Sequence, residues 1–158
     1  MSWRHAGADD ALALMELERD ANLVALSDIF TEPFPEDDVL ARWALVLADQ
    51  GVRVDVVDDA DRLRAVAAYD GVSLRHLFVH PASWGEGLGR QGIERAVEAG
   101  GAGIRLWVLE ANGRARWLYE HLGWRLTGQR QESVWAPHPV ELEYRHCATF
   151  ANLEIEYG

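Results

Sequence analysis

The spacing of apolar and polar positions changes character several times along the chain. Ser2–Ala6 alternates and predicts a short edge strand. A helical pattern follows, capped near Ala8–Asp10 and running to about Leu23, with Leu12, Leu14, Met15 and Leu17 toward the core. Thr31–Asp38 holds two prolines and four acids, which predicts a loop. A second helix is expected from about Asp37 to Asp49, with Asp37 or Asp38 as its cap. The period then drops to two. Val52, Val54 and Val56 alternate with Arg53 and Asp55, as in a half-buried strand.

Asp58–Asp61 is a turn, Leu63–Tyr69 a strand, and Asp70–Gly71 a hairpin signal before the strand Val72–His80. Gly87 to about Ala99 is helical, and Gly100, Gly101 and Gly103 end that helix. Ile104–Leu109 is almost continuously apolar, which predicts a central strand covered on both faces. Asn112–Leu122 is a further helix stopped by Gly123, and Trp124–Glu132 and Val140–His146 are further strands. Leu153, Ile155 and Tyr157 alternate with Glu154 and Glu156, so the tail Phe150–Gly158 is expected to add an edge strand or a subunit contact, the latter making a homodimer. The order predicts an α/β (α+β) fold: a mixed, mostly antiparallel sheet of six to seven strands flanked by about four helices. At 158 residues the chain suits one domain, 1–158.

Composition narrows the function classes. A formal net charge of −11 disfavours nucleic-acid phosphates and anionic lipid as partners and favours cationic small molecules such as amines. No apolar run reaches the ~18–20 residues of a membrane span. Met1–Asp10 has no basic stretch followed by an apolar one, so no signal peptide is expected. The single cysteine, Cys147, cannot form an intrachain disulfide. A cytoplasmic protein is the expectation.

Two segments carry chemistry. In Leu77–Gly92, a strand ending at Pro81 leads through Trp84-Gly85-Glu86-Gly87-Leu88-Gly89-Arg90 into a helix. Alternating glycines let a backbone approach a ligand and turn successive N–H groups to one side, at the positive end of a helix dipole. That arrangement suits a pyrophosphate, with Arg90 adding charge; the plainer alternative is a tight strand-to-helix turn. No Walker A sequence is present. A dinucleotide fingerprint, G-x-G-x-x-G, matches at Gly87, Gly89 and Gly92, with Glu110 further on. It is weakened by the residues between Val79 and Gly87 and by the shortness of the chain. In the second segment, Asn112, Ala115 and Tyr119 fall on nearly one face of a helix and can flank a thin ligand arm, or can simply cap and pack.

Together the segments resemble the GCN5-related N-acetyltransferase (GNAT) family. The likeness runs L-x-x-L-F-V-x-P-x-x-W-G-x-G-x-G-R at Leu74–Arg90 and L-W-V-L-E-A-N-x-R-A-x-x-L-Y-E-x-L-G-W at Leu106–Trp124. The resemblance implies acetyl-CoA as cosubstrate and transfer to a small-molecule or peptide amine by direct attack in a ternary complex. It implies that the backbone of Leu77, Phe78 and Val79 pairs with the pantetheine arm, and that the Val79 amide holds the thioester carbonyl and the developing oxyanion. It further implies that the amides from Gly85 to Arg90 bind the pyrophosphate, that Asn112 contacts the coenzyme, and that Tyr119 protonates the leaving thiolate.

Departures from the family pattern are Trp84 at the first loop position, Glu86 where a basic residue is common, and Gly92 inside the helix, costing roughly 1 kcal/mol in propensity. The positions where relatives place a base are Ser73, Arg75 and Trp107, none of them a base, and alternation turns His76 away. Water, or a carboxylate among Glu32, Glu36, Asp37 and Asp38, is the expected route for the proton, unless those acids only solvate their loop. His76 and His80 are expected to be structural. Trp107 and Trp117 are expected in the core, and Trp43, Trp124 and Trp135 in the core or lining an acceptor pocket. The absent base and Glu86 keep a non-catalytic acyl-CoA-binding module open. A nicotinamide dinucleotide-binding protein is the lesser alternative.

Overall fold

The structure, a computed structural model, describes residues 2–101 and 103–147. The predicted tail strand at Phe150–Gly158, and the subunit contact with it, lie outside the described residues. The elements are β1 (Trp3–His5), α1 (Ala11–Ala25), α2 (Glu36–Ala48), β2 (Arg53–Asp58), β3 (Leu63–Tyr69), β4 (Leu74–Val79), α3 (Leu88–Gly100), β5 (Arg105–Leu109), α4 (Gly113–His121), β6 (Trp124–Glu132) and β7 (Val140–His146). Single 3₁₀ turns at Ala8–Asp10 and Pro81–Ser83 lead into α1 and out of β4. The seven strands and four α-helices among the described residues match the predicted order.

The sheet divides where the expectation had one continuous surface. Strands β1-β2-β3-β4 form one antiparallel sheet and β5-β7-β6 another. They meet through one parallel bridge, Ser73 to Arg105, beside the bond from the Arg105 amide to the Val72 carbonyl (3.0 Å). Beyond that point β4 and β5 share no ladder, so the facing edge of β4 is left unpaired by backbone.

Two cores lie on opposite faces of the first sheet. α1 and α2 cover one face with Leu14, Leu17, Val39 and Trp43 against Val54, Val56 and Val66. α3 packs on the other and α4 on β6 of the second sheet, with a shared core of Ile93, Ala96, Leu106, Val108, Tyr119, Trp124 and Tyr144. Several local expectations are corrected. Leu12 is exposed, because the inward face of α1 carries Leu14, Met15, Leu17, Glu18 and Ala21. α2 starts a residue earlier than predicted, with Pro35 at its N-cap and Asp37 and Asp38 in its first turn, so neither acid caps it. β5 is open on one face, away from where α1 and α2 pack; Trp107 is 39% exposed there, and Trp117, on α4 at the rim of a cleft, is 60% exposed.

β2 is covered on both sides rather than one, which buries Asp55 completely. Its carboxylate accepts from Tyr69 Oη (2.6 Å) and Arg95 Nε (3.0 Å) and lies 2.7 Å from His5 Nδ1. Burial raises the Asp55 pKa, but these partners outweigh it and hold the carboxyl below its ordinary value. Burial, and then the contact with Asp55, push Tyr69 up to about 12. Asp55 thus ties β1, β2, β3 and α3 together on the side of the sheet that supports α3.

Candidate active site

The parting of β4 from β5 makes the site. The His80 amide donates to the Arg64 carbonyl (2.8 Å), and β4 pairs in register with β3 from Ala65–Val79 to Ala68–His76. In an antiparallel ladder, alternate residues turn both N–H and C=O to the same neighbour. His76 and Phe78 therefore address β3, while Leu77 and Val79 address the gap. The Val79 carbonyl accepts from Trp84 Nε1 (2.9 Å), as that parity requires. The Leu77 groups and the Val79 N–H remain facing the gap.

The chain then turns into α3 through Trp84–Gly87. Gly85 (φ +84°) and Gly87 (φ +83°) have left-handed backbone that a side chain would strain. Among the described residues, no acceptor takes an N–H from Gly85 to Arg90; the first helical bond is Gln91 to Gly87 (3.0 Å). Six successive amides are thus open at the positive end of α3. Gly92 has a different reason: a Cβ there would lie 2.7 Å from Leu77 Cδ1 and 3.2 Å from Ala67 Cβ. The propensity lost at Gly92 is what lets α3 lie close on β3 and β4 and place its N-terminus beside the gap.

A cleft of about 440 Å³ joins these features, with the β4 edge and loop on one wall and α4 on the other. It is lined by every residue singled out from the sequence except Glu86: Leu77, Phe78, Val79, Trp84, Gly85, Gly87, Leu88, Gly89, Arg90, Asn112, Ala115 and Tyr119. Glu86 is turned to Arg64 Nη2 (2.7 Å), and Arg64 also donates from Nε to Ser83 Oγ (3.0 Å). The carboxylate that threatened an anion site is therefore paired with a cation held under the loop. Arg90 pairs with Glu94 one turn along α3 (3.0 Å), both exposed.

On the α4 wall, Asn112 Oδ1 accepts from the Ala115 amide (3.2 Å), so Asn112 caps the helix while lining the cleft. Tyr119 is buried against Trp124 and Tyr144, and its hydroxyl bonds to none of the described groups. Burial pushes its pKa well above the ordinary value, so it stays protonated. The two histidines are structural. His76 packs on Trp43, with ring centroids 4.9 Å apart, and burial, then Arg42 and Arg75, push its pKa down to about 3. His80 Nδ1 accepts from the Ala82 amide (3.1 Å), which puts the ring proton on Nε2, 3.4 Å from Asp20.

Sequence reasoning missed eight residues of the cleft lining, Arg114, Trp117 and Asn22 among them. Arg114 lies over the Trp84 ring, 3.9 Å from its centroid, and joins the two walls. Exposed Trp117 stacks on His121 (3.7 Å). Asn22 of α1 also lines the cleft. Arg114 stands within the N-x-R-A motif and was open to notice; only the fold brings Asn22 near. Asn22 also lines a neighbouring cavity of about 330 Å³, walled by Leu23, Phe30, Phe34 and Trp135, with Glu32 and Asp38 among its acids.

Residues 43–126, just over half of the chain, match the sequence profile of the acetyltransferase (GNAT) domain. The chain belongs to the GNAT family. No curated protein matches it. Solved structures share the GNAT fold at low identity. Apo-form YjaB from Escherichia coli is 19% identical, with a TM-score of 0.73, covering 92% of this chain and 96% of that one. A GCN5-related N-acetyltransferase from Rhodopseudomonas palustris is 16% identical, with a TM-score of 0.76, covering 92% and 94%. YncA from Salmonella typhimurium, a putative acetyltransferase solved with acetyl-CoA, is 22% identical, with a TM-score of 0.63, covering 91% of each. The GNAT fold here has one parallel strand neighbourhood, so the Gly87–Gly92 fingerprint does not sit in the doubly wound sheet a nicotinamide site requires. No helix among the described residues is long and apolar enough to cross a membrane.

Proposed function

We propose that this GNAT domain is an acetyl-CoA-dependent N-acetyltransferase acting on an amine by direct attack in a ternary complex. The observation that carries the reading is the continuity of the outward-facing β4 edge at Leu77 and Val79 with the open amides of Gly85–Arg90, in one cleft. Acetyl-CoA pairs a diphosphate with a long amide-bearing arm, and those groups fit the open amides and the strand edge respectively. The coenzyme, when bound, supplies an activated acetyl thioester. The acetyl-CoA complex of YncA, on the same fold, is in line with this.

The protein's groups then divide the work. The Val79 N–H, aimed into the cleft, donates to the thioester oxygen and strengthens as charge grows there. Trp84, by holding the Val79 carbonyl, keeps that residue turned outward. The amine nitrogen bonds to the acyl carbon, the carbon–sulfur bond breaks, and nitrogen gives up one proton. That proton passes through water to the Glu32 and Asp38 carboxylates of the adjoining cavity. Tyr119 donates a hydrogen bond to the departing sulfur.

Full proton transfer from Tyr119 is uphill. An ordinary phenol lies ~1.5 pKa units above a thiol, about 2 kcal/mol, and burial at Tyr119 widens the gap. Tyr119 therefore acts as a retained donor. The initial test is calorimetric titration with acetyl-CoA and with NADH, then thiol release from acetyl-CoA with a panel of amines. Binding of acetyl-CoA alone with amine-dependent thiol release is expected. Binding without release on any amine would leave a coenzyme-binding module, and binding of NADH alone would overturn the reading.

A further inference from the structure

We infer that the acceptor is an arylalkylamine, a primary amine on a short chain from an aromatic ring, whose ring fills the second cavity. This rests on the transferase reading and names its substrate class. The cavity lies among the C-terminal half of α1, the segment from Ser27 to Pro35, the start of α2 and the β6–β7 connection. It adjoins the cleft at Asn22, the residue lining both. A nitrogen at Asn22 thus stands at the mouth of the cleft while its carbon skeleton lies in the cavity.

The lining selects the skeleton. Phe30, Phe34 and Trp135 offer three aromatic side chains, and Leu23 and Val39 add aliphatic surface. Aromatic walls of this kind favour a flat ring by edge and face contacts as well as by area buried. A volume of about 330 Å³ is at the small end for ligand cavities (~300–1,000 Å³), too little for a peptide and enough for a ring with a short chain.

Charge selects against polyamines. Three acids line the cavity. Glu18 is consumed, paired with Arg42 and accepting from Trp43 Nε1 (3.1 Å). Glu32 and Asp38 are exposed at the rim. A second ammonium carried inward would find no unpaired carboxylate among the described residues of the interior, and burying a lone cation is costly. The rim acids instead draw a monocation to the entrance.

The test compares 2-phenylethylamine, tryptamine, spermidine and an alanine-terminated peptide in the thiol-release assay, after acetyl-CoA binding has been measured. The expected result is at least a tenfold higher kcat/KM for the two arylalkylamines. Trp135→Ala should lower that value about tenfold with the coenzyme Kd unchanged, which also shows that the variant folds. Leu23→Arg, at an exposed helix position, should fold and block the cavity with the same outcome. Normal coenzyme binding with spermidine or the peptide preferred overturns the inference and leaves the transferase reading intact. If no amine reacts, 2-phenylethylamine is titrated into protein saturated with coenzyme A. Binding that Leu23→Arg abolishes supports the inference, and no binding overturns it. Failure to bind acetyl-CoA overturns both.

Discussion

Replacing Tyr119 by Phe removes one oxygen from a site whose surroundings let its effect be separated. The side chain is 7% exposed and its hydroxyl bonds to none of the described groups, so the change orphans no partner. Stability should change by less than about 1 kcal/mol, because the hydroxyl opens to the cleft and its removal leaves no group unpartnered. In the reaction, the lost donor faced a sulfur gaining negative charge. A hydrogen bond to a charged group contributes about 1.5–3 kcal/mol, which predicts a fall in kcat of roughly 10- to 150-fold. Thiol release at saturating acetyl-CoA gives kcat, and calorimetry gives the coenzyme Kd, which should change less than threefold. Since burial raises the Tyr119 pKa, its ionisation should leave the wild-type kcat profile flat up to pH about 10. A variant with kcat within threefold of wild type, or one whose loss is matched by weaker coenzyme binding, would refute the role.

Three further outcomes follow from the same geometry. Gly92→Leu should destabilise the fold by about 2 kcal/mol or more in urea unfolding, since overpacking against Leu77 and Ala67 exceeds the roughly 1 kcal/mol gained in helix propensity; a net gain would contradict the close approach of α3. Arg64→Ala frees the Glu86 carboxylate beside the open amides and should weaken acetyl-CoA binding roughly fivefold at low salt, the effect of about 1 kcal/mol between nearby charges in water; adding Glu86→Gln should restore it, and no restoration would sink the charge argument. Asp55→Asn should cost about 2 kcal/mol at pH 7 by thermal unfolding. Because the folded Asp55 pKa is lowered, its contribution is complete above the unfolded value near pH 3.9 and is lost as pH falls through the lower folded value, so the variant should show a shallower loss of stability below pH 4 than wild type.

The element order and the cleft were legible in the sequence because both rest on local pattern. A period-two run marked β2, turn signals bounded β3 and β4, and Gly85 and Gly87 announced backbone that glycine adopts freely. What the pattern could not carry was the partition of the sheet. The apolar run Ile104–Leu109 was read as covered on both faces, yet whether a helix lies over Trp107 is decided by where α1 and α2 dock, far away in sequence. Asp55 looked like the solvent-facing position of an alternating strand for the same reason; its partners Tyr69, Arg95 and His5 come from three other elements. Gly92 was read as a cost to α3, and only packing shows it as the point where helix and sheet meet. Glu86 seemed to oppose an anion until Arg64 was found beneath it, and Asn22 carried no local signal at all.

The backbone amides themselves give the most direct test. In ¹⁵N-resolved NMR titration with acetyl-CoA, the resonances of Val79, Gly85, Gly87 and Gly89 should shift together at one saturating concentration, with those of the α2 amides unmoved. If those four stay in place while the coenzyme binds elsewhere, or does not bind, the cleft is not the acyl-donor site.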